Sequence, residues 1–282
     1  MGESDAHEAK RFCPGQESYM SQAGVTAATM PIVNSDMVKI GTARRRHAQE
    51  YLAHHREVDG WLEDTSALVT AHLLEAQTKM DLRGNMLEIG VHHGRYFLVL
   101  ATALEDQEYA VAVDVFDDQS KNTTASGRGN WSVFIQNVAR FAPLARVHVV
   151  NADSSTLGHD FVARFHGMRC VSIDGGHDRA TTCSDLRLAE RLMVDGGIVA
   201  LDDIYRPDWS GVTAGLARYF HQGGQLVPMA FIPNKLLLTT SGAIAETYRE
   251  ILRTNFGEYC DRHHPEQEFF EFDNVLLVSA DL

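Results

Sequence analysis

The chain of 282 residues is long enough for one large α/β domain, and its 44% hydrophobic fraction supplies a substantial core. Its 25 lysine and arginine residues face 38 aspartate and glutamate residues, a formal net charge of −13 that argues against nucleic acid as a partner. The four cysteines form no CxxC pair, which argues against a zinc knuckle or a dense disulfide framework and favours a reducing cytoplasm. No apolar run approaches the roughly 20 residues that span a bilayer, so we expect a soluble protein without a membrane partner.

The beginning of the chain is predicted to lie outside the main fold. Residues 1–36 are polar and lack sustained periodicity, which is typical of a flexible arm. Residues 37–82 place apolar side chains, Trp61 among them, at three- and four-residue steps, which predicts one or two helices. We therefore expect a single domain over residues 37–282 that begins with a helical extension.

Short apolar runs alternate with helical stretches after Gly84. The runs are MLEIG (86–90), YAVAVDVF (109–116), ARVHVVNAD (145–153), MRCVSIDGG (168–176) and GGIVALDD (196–203). Their β-branched composition predicts buried parallel strands joined by crossover helices, which is a doubly wound α/β sheet.

Two further runs, at residues 224–232 and 235–240, are separated only by Pro233 and Asn234. This spacing predicts an antiparallel hairpin at the edge of the sheet. Together the runs predict a mostly parallel, seven-stranded, Rossmann-like sheet over residues 85–240. A C-terminal helix and strand are expected within residues 241–282.

The first strand ends in a glycine-containing turn, and ligands of open α/β sheets lie beyond the carboxyl ends of the strands. The turn reads Glu88-Ile-Gly90-Val91-His92-His-Gly94 and directly precedes a helix. Gly90 and Gly94 allow a ligand to approach the backbone at the helix N-terminus. A plain strand-to-helix connector is the alternative interpretation.

The next two strand ends offer polar groups to a nucleoside. Asp114 lies twenty residues beyond Gly94, where a carboxylate accepts hydrogen bonds from both ribose hydroxyls, although a dinucleotide satisfies this spacing equally well. Asp153 and Ser154 are placed either to meet an adenine edge or to cap the following helix. Glu88 would repel a pyrophosphate but suits an ammonium group, which favours S-adenosylmethionine over a nicotinamide cofactor.

This ordered set of motifs resembles the class I S-adenosylmethionine-dependent methyltransferases, over approximately residues 85–240. The resemblance implies S-adenosylmethionine as the cofactor. The residues that would bind it are Glu88, Gly90, Val91, His92, Gly94, Asp114, Asp153, Ser154 and Asp174.

Acidic residues and a histidine follow two strands that neighbour each other in this topology. The fourth run ends with Asp174 and His177, and the fifth ends with Asp202 and Asp203. Closely placed carboxylates repel one another unless a cation lies between them, and Mg²⁺ prefers such oxygen ligands. Helix capping or loop structure explains either pair alone. Both pairs beside one cofactor crevice favour a site with a metal ion and a base.

This pattern of DxxH and an acidic pair resembles the metal-dependent sugar O-methyltransferases of the macrocin O-methyltransferase family. The resemblance implies Asp174, Asp202 and Asp203 as Mg²⁺ ligands and His177 as the general base. It also implies that the methyl acceptor is a hydroxyl of a small molecule, namely a sugar of a glycosylated natural product. The first acidic residue is often Glu in that family, and the shorter Asp202 changes the reach of this ligand.

Tyr205, Arg206 and Trp209 follow the acidic pair and are candidates for contact with the acceptor, with core packing as the alternative for Trp209. Residues 116–131 form either a lid or a surface loop. The run at residues 269–272 packs either on the sheet or in a homo-oligomer contact.

Other functions remain open at this stage. A catechol or phenolic O-methyltransferase also needs a metal, but it acts on a more acidic hydroxyl. A nicotinamide-dependent oxidoreductase is opposed by Glu88. A non-catalytic S-adenosylmethionine-binding protein and a relative of the cephalosporin hydroxylases are two further alternatives.

Overall fold

A computed structural model describes residues 31–32, 40–122, 124–261 and 264–279. The strands are β1 (Pro31–Ile32), β2 (Asn85–Ile89), β3 (Ala110–Asp114), β4 (Val147–Asn151), β5 (Met168–Ile173), β6 (Met193–Asp202), β7 (Val227–Ile232), β8 (Lys235–Thr239), β9 (Glu266–Phe269) and β10 (Phe272–Leu277). The α-helices are α1 (Ile40–His54), α2 (Asp64–Lys79), α3 (Phe97–Thr102), α4 (Trp131–Phe141), α5 (His159–Phe165), α6 (Arg179–Leu192), α7 (Ser210–His221) and α8 (Gly242–Phe256). Most of the predicted arm at residues 1–36 lies outside the described residues.

The described strands form one sheet of ten strands in the order β1-β4-β3-β2-β5-β6-β8-β7-β10-β9. The five strands from β4 to β6 in this order pair in parallel. The chain moves outward from β2 to β4 and then returns to the other side of β2 as β5, which places the topological switch point between β2 and β5. The predicted doubly wound, Rossmann-like sheet and its seven central strands are therefore confirmed.

The predicted hairpin is present, but it does not lie at the edge of the sheet. β7 and β8 pair in an antiparallel arrangement around a turn that contains Asn234 at a φ of 63°. β10 then pairs in parallel with β7, and β9 pairs with β10. The buried strand β7 would otherwise expose a row of unpaired backbone groups, which these C-terminal strands satisfy.

The core consists of two apolar layers, one on each face of the sheet. Helices α1, α2, α3, α4 and α8 cover one face, and α5, α6 and α7 cover the other. Successive residues of β2 alternate between the layers, so Met86 belongs to the first and Leu87 to the second. Two buried faces explain why the parallel strands are apolar runs rather than alternating ones.

The helical extension before the sheet is confirmed as α1 and α2, joined by a 3₁₀ helix at His55–Glu57. Trp61 does not lie on a helical face as its spacing predicted. It lies in the connection before α2 with 72% of its surface exposed. Gly60, at a φ of 142°, takes the backbone out of the helical region just before it.

None of the helices in the described residues is long and apolar enough to cross a membrane.

Candidate active site

A cleft of about 630 Å³ lies at the carboxyl ends of the parallel strands, where ligands bind in open α/β sheets. It collects residues from five successive strand ends. The sequence-predicted residues that line it are Gly90, His92, Asp114, Asp153, Ser154, Asp174, His177, Asp202, Asp203, Arg206 and Trp209. Those that do not line it are Glu88, Val91, Gly94 and Tyr205.

The turn after β2 is held against the neighbouring strand ends. Gly90 has a φ of 84°, and a β carbon there would lie 1.9 Å from the backbone oxygen of Asp174, so only glycine fits. The backbone N–H of His92 donates to Oδ2 of Asp114 over 2.8 Å. That of Phe116 donates to Oδ1 over 2.6 Å. The turn and the third strand are thus fixed to each other by one carboxylate at the cleft.

Asp114 is largely buried, and its pKa is raised by this burial although the backbone donors from His92 and Phe116 oppose the rise. The pKa of the His92 imidazole is lowered, first by burial and then by the neighbouring His93. Asp153 accepts a hydrogen bond from the backbone N–H of Ser155 and so caps the short 3₁₀ helix that follows β4. The capping interpretation of Asp153 is therefore confirmed, while the same residue also lines the cleft.

Glu88 lies beneath the floor of the cleft rather than in its lining, which corrects the placement that the sequence suggested. Its side chain is 1% exposed, and Oε1 accepts a hydrogen bond from Ser172 while Oε2 has no partner. Burial and then the charge of Asp174 raise its pKa well above the usual range. A buried carboxyl that is readily protonated distinguishes a cationic ligand from an anionic one only weakly.

Asp174, His177 and Asp203 form a cluster at the mouth of β5 and β6. Each offers one ligand atom, and these atoms lie within 4.8 Å of one another. Nε2 of His177 lies 3.0 Å from Oδ2 of Asp203 and 3.7 Å from Oδ1 of Asp174. The His177 ring stacks on Trp209 with a centroid distance of 4.4 Å.

The charge of this cluster controls the protonation of the histidine. Burial by itself lowers the pKa of His177, but the hydrogen bonds and charges of Asp174 and Asp203 outweigh it and raise the pKa to about 9. Burial raises the pKa of Asp203, but the hydrogen bonds from His177 and Asn234 outweigh that effect and leave it lowered. Without a cation at this position, an imidazolium therefore balances the carboxylates at neutral pH.

Asp202 is placed differently from the two carboxylates beside it. Nζ of Lys235 lies 2.5 Å from Oδ2 of Asp202, and both side chains are buried. The Asn234 amide donates to Oδ1 of Asp202 over 2.7 Å and to Oδ1 of Asp203 over 2.8 Å. Oδ1 also accepts a hydrogen bond from the backbone N–H of Asp203 over 3.0 Å, so both oxygens of Asp202 already have protein partners, where the sequence predicts a full ligand beside Asp174 and Asp203.

Asn234 lines the cleft and Lys235 lies behind it, whereas the sequence analysis places this segment only in the hairpin. Burial lowers the pKa of Lys235, but the charges of Asp202 and Asp174 outweigh this and raise it, so the lysine is a cation. Its Nζ also lies 4.3 Å above the ring of Tyr96. The role of Lys235 could be found from the register of the hairpin, because Lys235 pairs directly with Asp202 across β8 and β6.

The donor set of this cluster fits a hard divalent cation. Carboxylate oxygens of Asp174 and Asp203 face one position, and a third carboxylate stands beside them. Nδ1 of His177 is buried and has no hydrogen-bond partner among the described residues, where Trp209 and the two carboxylates hold the ring. A cation between the carboxylates would replace the positive charge that the imidazolium now supplies.

The acceptor candidates divide into two groups. Arg206 and Trp209 line the cleft. Tyr205 is 64% exposed, and its ring lies against Phe231 outside the cleft, at a centroid distance of 5.2 Å. Trp209 is only partly buried, so packing against apolar neighbours does not account for the whole of its surface.

The segment at residues 116–131 lines one side of the cleft with side chains that the sequence analysis did not single out. They are Gln119, Lys121, Asn122, Thr124, Ala125 and Ser126. The Asn122 amide donates to the backbone oxygen of Gly127 and closes the loop on itself. Trp61 also lines the cleft, over the imidazole of His92 at a centroid distance of 5.4 Å. The segment is therefore part of the cleft wall rather than a remote surface loop.

Comparison with known proteins gives one match to a family model and several distant structural neighbours. Residues 87–204 match the model described as a methyltransferase domain. No curated protein matches the chain.

Solved structures similar to the chain include CalS11, described as a TDP-rhamnose 3'-O-methyltransferase of calicheamicin biosynthesis, at 15% identity over 73% of this chain and 97% of that chain, with a TM-score of 0.46. The O-methyltransferase NovP is 11% identical over 62% of this chain and 80% of that chain, with a TM-score of 0.48. An O-methyltransferase from Bacillus cereus in complex with SAH is 14% identical over 73% of this chain and 92% of that chain, with a TM-score of 0.43. The strand order given above, rather than these distant likenesses, establishes the fold.

Proposed function

We propose that this chain is an S-adenosylmethionine-dependent, Mg²⁺-dependent O-methyltransferase, on the premise that residues 87–204 match the model of a methyltransferase domain. The acceptor is a hydroxyl group of a small molecule, namely a sugar of a glycosylated natural product. One observation carries the proposal: Asp174, His177 and Asp203 meet at the mouth of the cleft that Gly90 and Asp114 also line.

The methyl donor occupies the part of the cleft between β2 and β4. The turn at Gly90 lets it approach the backbone, and Asp114 accepts hydrogen bonds from its ribose hydroxyls. Ser154 and Asp153 lie on the adenine side. Glu88 lies beneath the floor, where its carboxyl accepts a hydrogen bond from Ser172 and does not touch the donor directly. The match to a methyltransferase domain also weighs against the nicotinamide-dependent alternative.

The acceptor hydroxyl must be activated, because almost none of an alkyl hydroxyl is ionised at neutral pH. A bound Mg²⁺ would lower the pKa of a coordinated hydroxyl. Asp174 and Asp203 would hold it, and Oδ1 of Asp202 would join them in place of its hydrogen bond from Asn234. Lys235 binds Oδ2 of Asp202 and limits the negative charge of the site.

His177 removes the proton from the acceptor. In the absence of a cation its pKa is about 9, so the ring is protonated and unable to act as a base at neutral pH. A cation held by Asp174 and Asp203 would offset the negative charge that stabilises the imidazolium. It would thereby lower the pKa of His177 and favour the neutral ring, which can accept a proton. Trp209 keeps the imidazole oriented by stacking on it.

Two adjacent hydroxyls that chelate one cation explain selective methylation of a sugar, and Trp209 offers an aromatic face for the sugar ring. Arg206 would hydrogen-bond to neighbouring hydroxyls, and Tyr205 lies farther out on the same connection. Catechols also present adjacent hydroxyls, which leaves a catechol O-methyltransferase as the second candidate.

Calorimetry with S-adenosylhomocysteine and NAD, followed by transfer assays on glycosides and catechols with Mg²⁺, tests the proposal. We expect S-adenosylhomocysteine to bind, NAD not to bind, and methyl transfer to reach glycosides. Binding of NAD alone would overturn the cofactor assignment. Transfer to catechols alone would overturn the sugar assignment, and cofactor binding without any transfer would favour a non-catalytic protein.

A further inference from the structure

A second cluster of metal-ligating side chains lies at the outer side of the glycine turn. Asp59, His92 and His93 each offer one ligand atom, and these atoms lie within 4.8 Å of one another. Asp59 belongs to the connection before α2, whereas the two histidines follow β2. The cluster therefore joins two segments that are 33 residues apart in the chain.

The two imidazoles have unused nitrogen atoms. Nδ1 of His92 and Nδ1 of His93 are both buried, and neither makes a hydrogen bond of normal geometry within the described part of the chain, although both imidazoles lie beside Asp59. The rings stack with a centroid distance of 3.8 Å and an interplanar angle of 30°. Buried polar atoms without partners are costly, so two of them side by side call for a ligand that the protein alone does not supply.

Distances within the cluster fit a small transition-metal ion. Nδ1 of His93 lies 3.3 Å from Oδ2 of Asp59 without a hydrogen bond between them. Metal–ligand bonds of about 2.0–2.2 Å in tetrahedral geometry place two ligands about 3.4 Å apart.

The backbone around the cluster is held in place. A β carbon at Gly60 would lie 3.3 Å from Cβ of Arg95 and 3.6 Å from Nδ1 of His92, so the connection before α2 passes close to the imidazole. The Asn137 amide donates to the backbone oxygen of His93 over 2.9 Å. The side chain of His93 is 14% exposed and that of Asp59 is 83% exposed, so an ion can enter from solvent on the Asp59 side.

We propose that Asp59, His92 and His93 form a second metal site, specific for a transition-metal ion such as Zn²⁺ and separate from the Mg²⁺ cluster. Two imidazoles and one carboxylate favour Zn²⁺ over Mg²⁺, which prefers an all-oxygen shell. A solvent molecule completes the four ligands.

Occupancy of this site links the connection before α2 to the turn that contacts the cofactor. The backbone N–H of His92 holds Asp114, the residue assigned to the ribose, so an ion on the His92 ring stabilises the cofactor side of the cleft. This coupling rests on the proposed function, whereas metal binding itself does not. Zn²⁺ therefore raises the affinity for S-adenosylhomocysteine.

Co²⁺ is the probe for the site, because tetrahedral Co²⁺ has a strong visible spectrum. The parent protein for this experiment carries His177→Gln and Asp203→Asn, so that the Mg²⁺ cluster no longer competes. We expect one Co²⁺ per chain by equilibrium dialysis, with a tetrahedral absorption spectrum. His93→Gln and Asp59→Ala should each weaken this binding by at least about tenfold.

His159→Gln is the matched control, because that histidine is exposed and lies elsewhere, and it should leave Co²⁺ binding unchanged. Circular dichroism checks the fold of each variant. Because Asp59 is exposed, we expect its replacement to leave the fold intact. Equal Co²⁺ affinity in the parent, His93→Gln and Asp59→Ala proteins, or no binding to the parent, would overturn the site. Co²⁺ binding without any binding of S-adenosylhomocysteine would instead overturn the proposed function and leave the metal site standing.

Discussion

Lys235 and Asp202 form a buried ion pair across the register of β8 and β6, with Nζ of the lysine 2.5 Å from Oδ2 of the carboxylate. The pair lies directly behind the cluster of Asp174, His177 and Asp203. Asn234, the neighbour of Lys235 in the turn, binds both Asp202 and Asp203. The hairpin turn therefore supports the acidic end of β6 from behind.

Replacement of this lysine is expected to destabilise the protein strongly. Lys235→Met leaves the buried carboxylate of Asp202 without its partner, and breaking a buried pair from one side costs about 3–5 kcal/mol. Urea unfolding in EDTA measures the loss. The double variant with Asp202→Asn should regain much of it, because the uncompensated charge is then gone.

Lys79→Met provides the control for that experiment. Its ammonium pairs with Glu75 on the exposed surface of α2, where a salt bridge is worth about 0–1 kcal/mol. If Lys235→Met and Lys79→Met lower the free energy of unfolding equally, the buried pair does not stabilise the protein more than the surface pair does.

His177→Ala is expected to reduce methyl transfer by about 10²–10⁴-fold, because a positioned general base contributes about that much. Binding of S-adenosylhomocysteine should not change, since the imidazole faces the acceptor side of the cleft. Initial rates and calorimetry on the same preparation separate the two effects. Unchanged turnover would remove His177 from the role of the base.

The stability of the cation-free protein should depend on pH through His177. Its pKa in the folded protein is about 9, above the ordinary value of 6.5, so the folded state holds the proton more tightly. The stabilisation is complete below pH 6.5, declines between pH 6.5 and 9, and is lost above pH 9.

The difference in free energy of unfolding between the wild type and His177→Gln, measured in EDTA, isolates this contribution. We expect the difference to shrink as the pH rises through that range. A difference that stays constant from pH 6 to pH 10 would show that Asp174 and Asp203 do not stabilise the imidazolium.

Asp114→Ala is expected to weaken the binding of S-adenosylhomocysteine by roughly 10- to 100-fold. The substitution removes hydrogen bonds to a charged acceptor, which are worth about 1.5–3 kcal/mol. It also frees the backbone donors of His92 and Phe116. Asp160→Ala is the matched control, because this carboxylate at the start of α5 is exposed and does not line the cleft. If the two variants bind the cofactor product equally well, Asp114 is not its ribose ligand.

Much of the fold could be predicted from the sequence because its signals are local. Each parallel strand is an apolar run that ends in Gly, Asp or Asn, and carboxyl ends of parallel strands converge on one edge of the sheet. That rule alone placed Asp114, Asp174 and Asp203 at one cleft. It also predicted the seven central strands.

The features that the sequence analysis missed depend on long-range geometry. The ion pair of Lys235 with Asp202 follows from the register of the hairpin, which a turn of two residues sets but composition does not reveal. β9, at Glu266–Phe269, is mostly polar and becomes a strand only because β10 pairs with it. Glu88 belongs to the glycine-containing turn motif, but the motif does not reveal that its side chain is buried beneath the cleft.

Metal dependence is the part of the account that one measurement tests most directly. The protein is treated with EDTA, dialysed and assayed for methyl transfer from S-adenosylmethionine to a glycoside acceptor, with and without added Mg²⁺. We predict no transfer in the metal-free protein and full recovery with Mg²⁺, and no recovery in the Asp203→Asn variant. Undiminished transfer in EDTA would contradict a catalytic cation between Asp174 and Asp203.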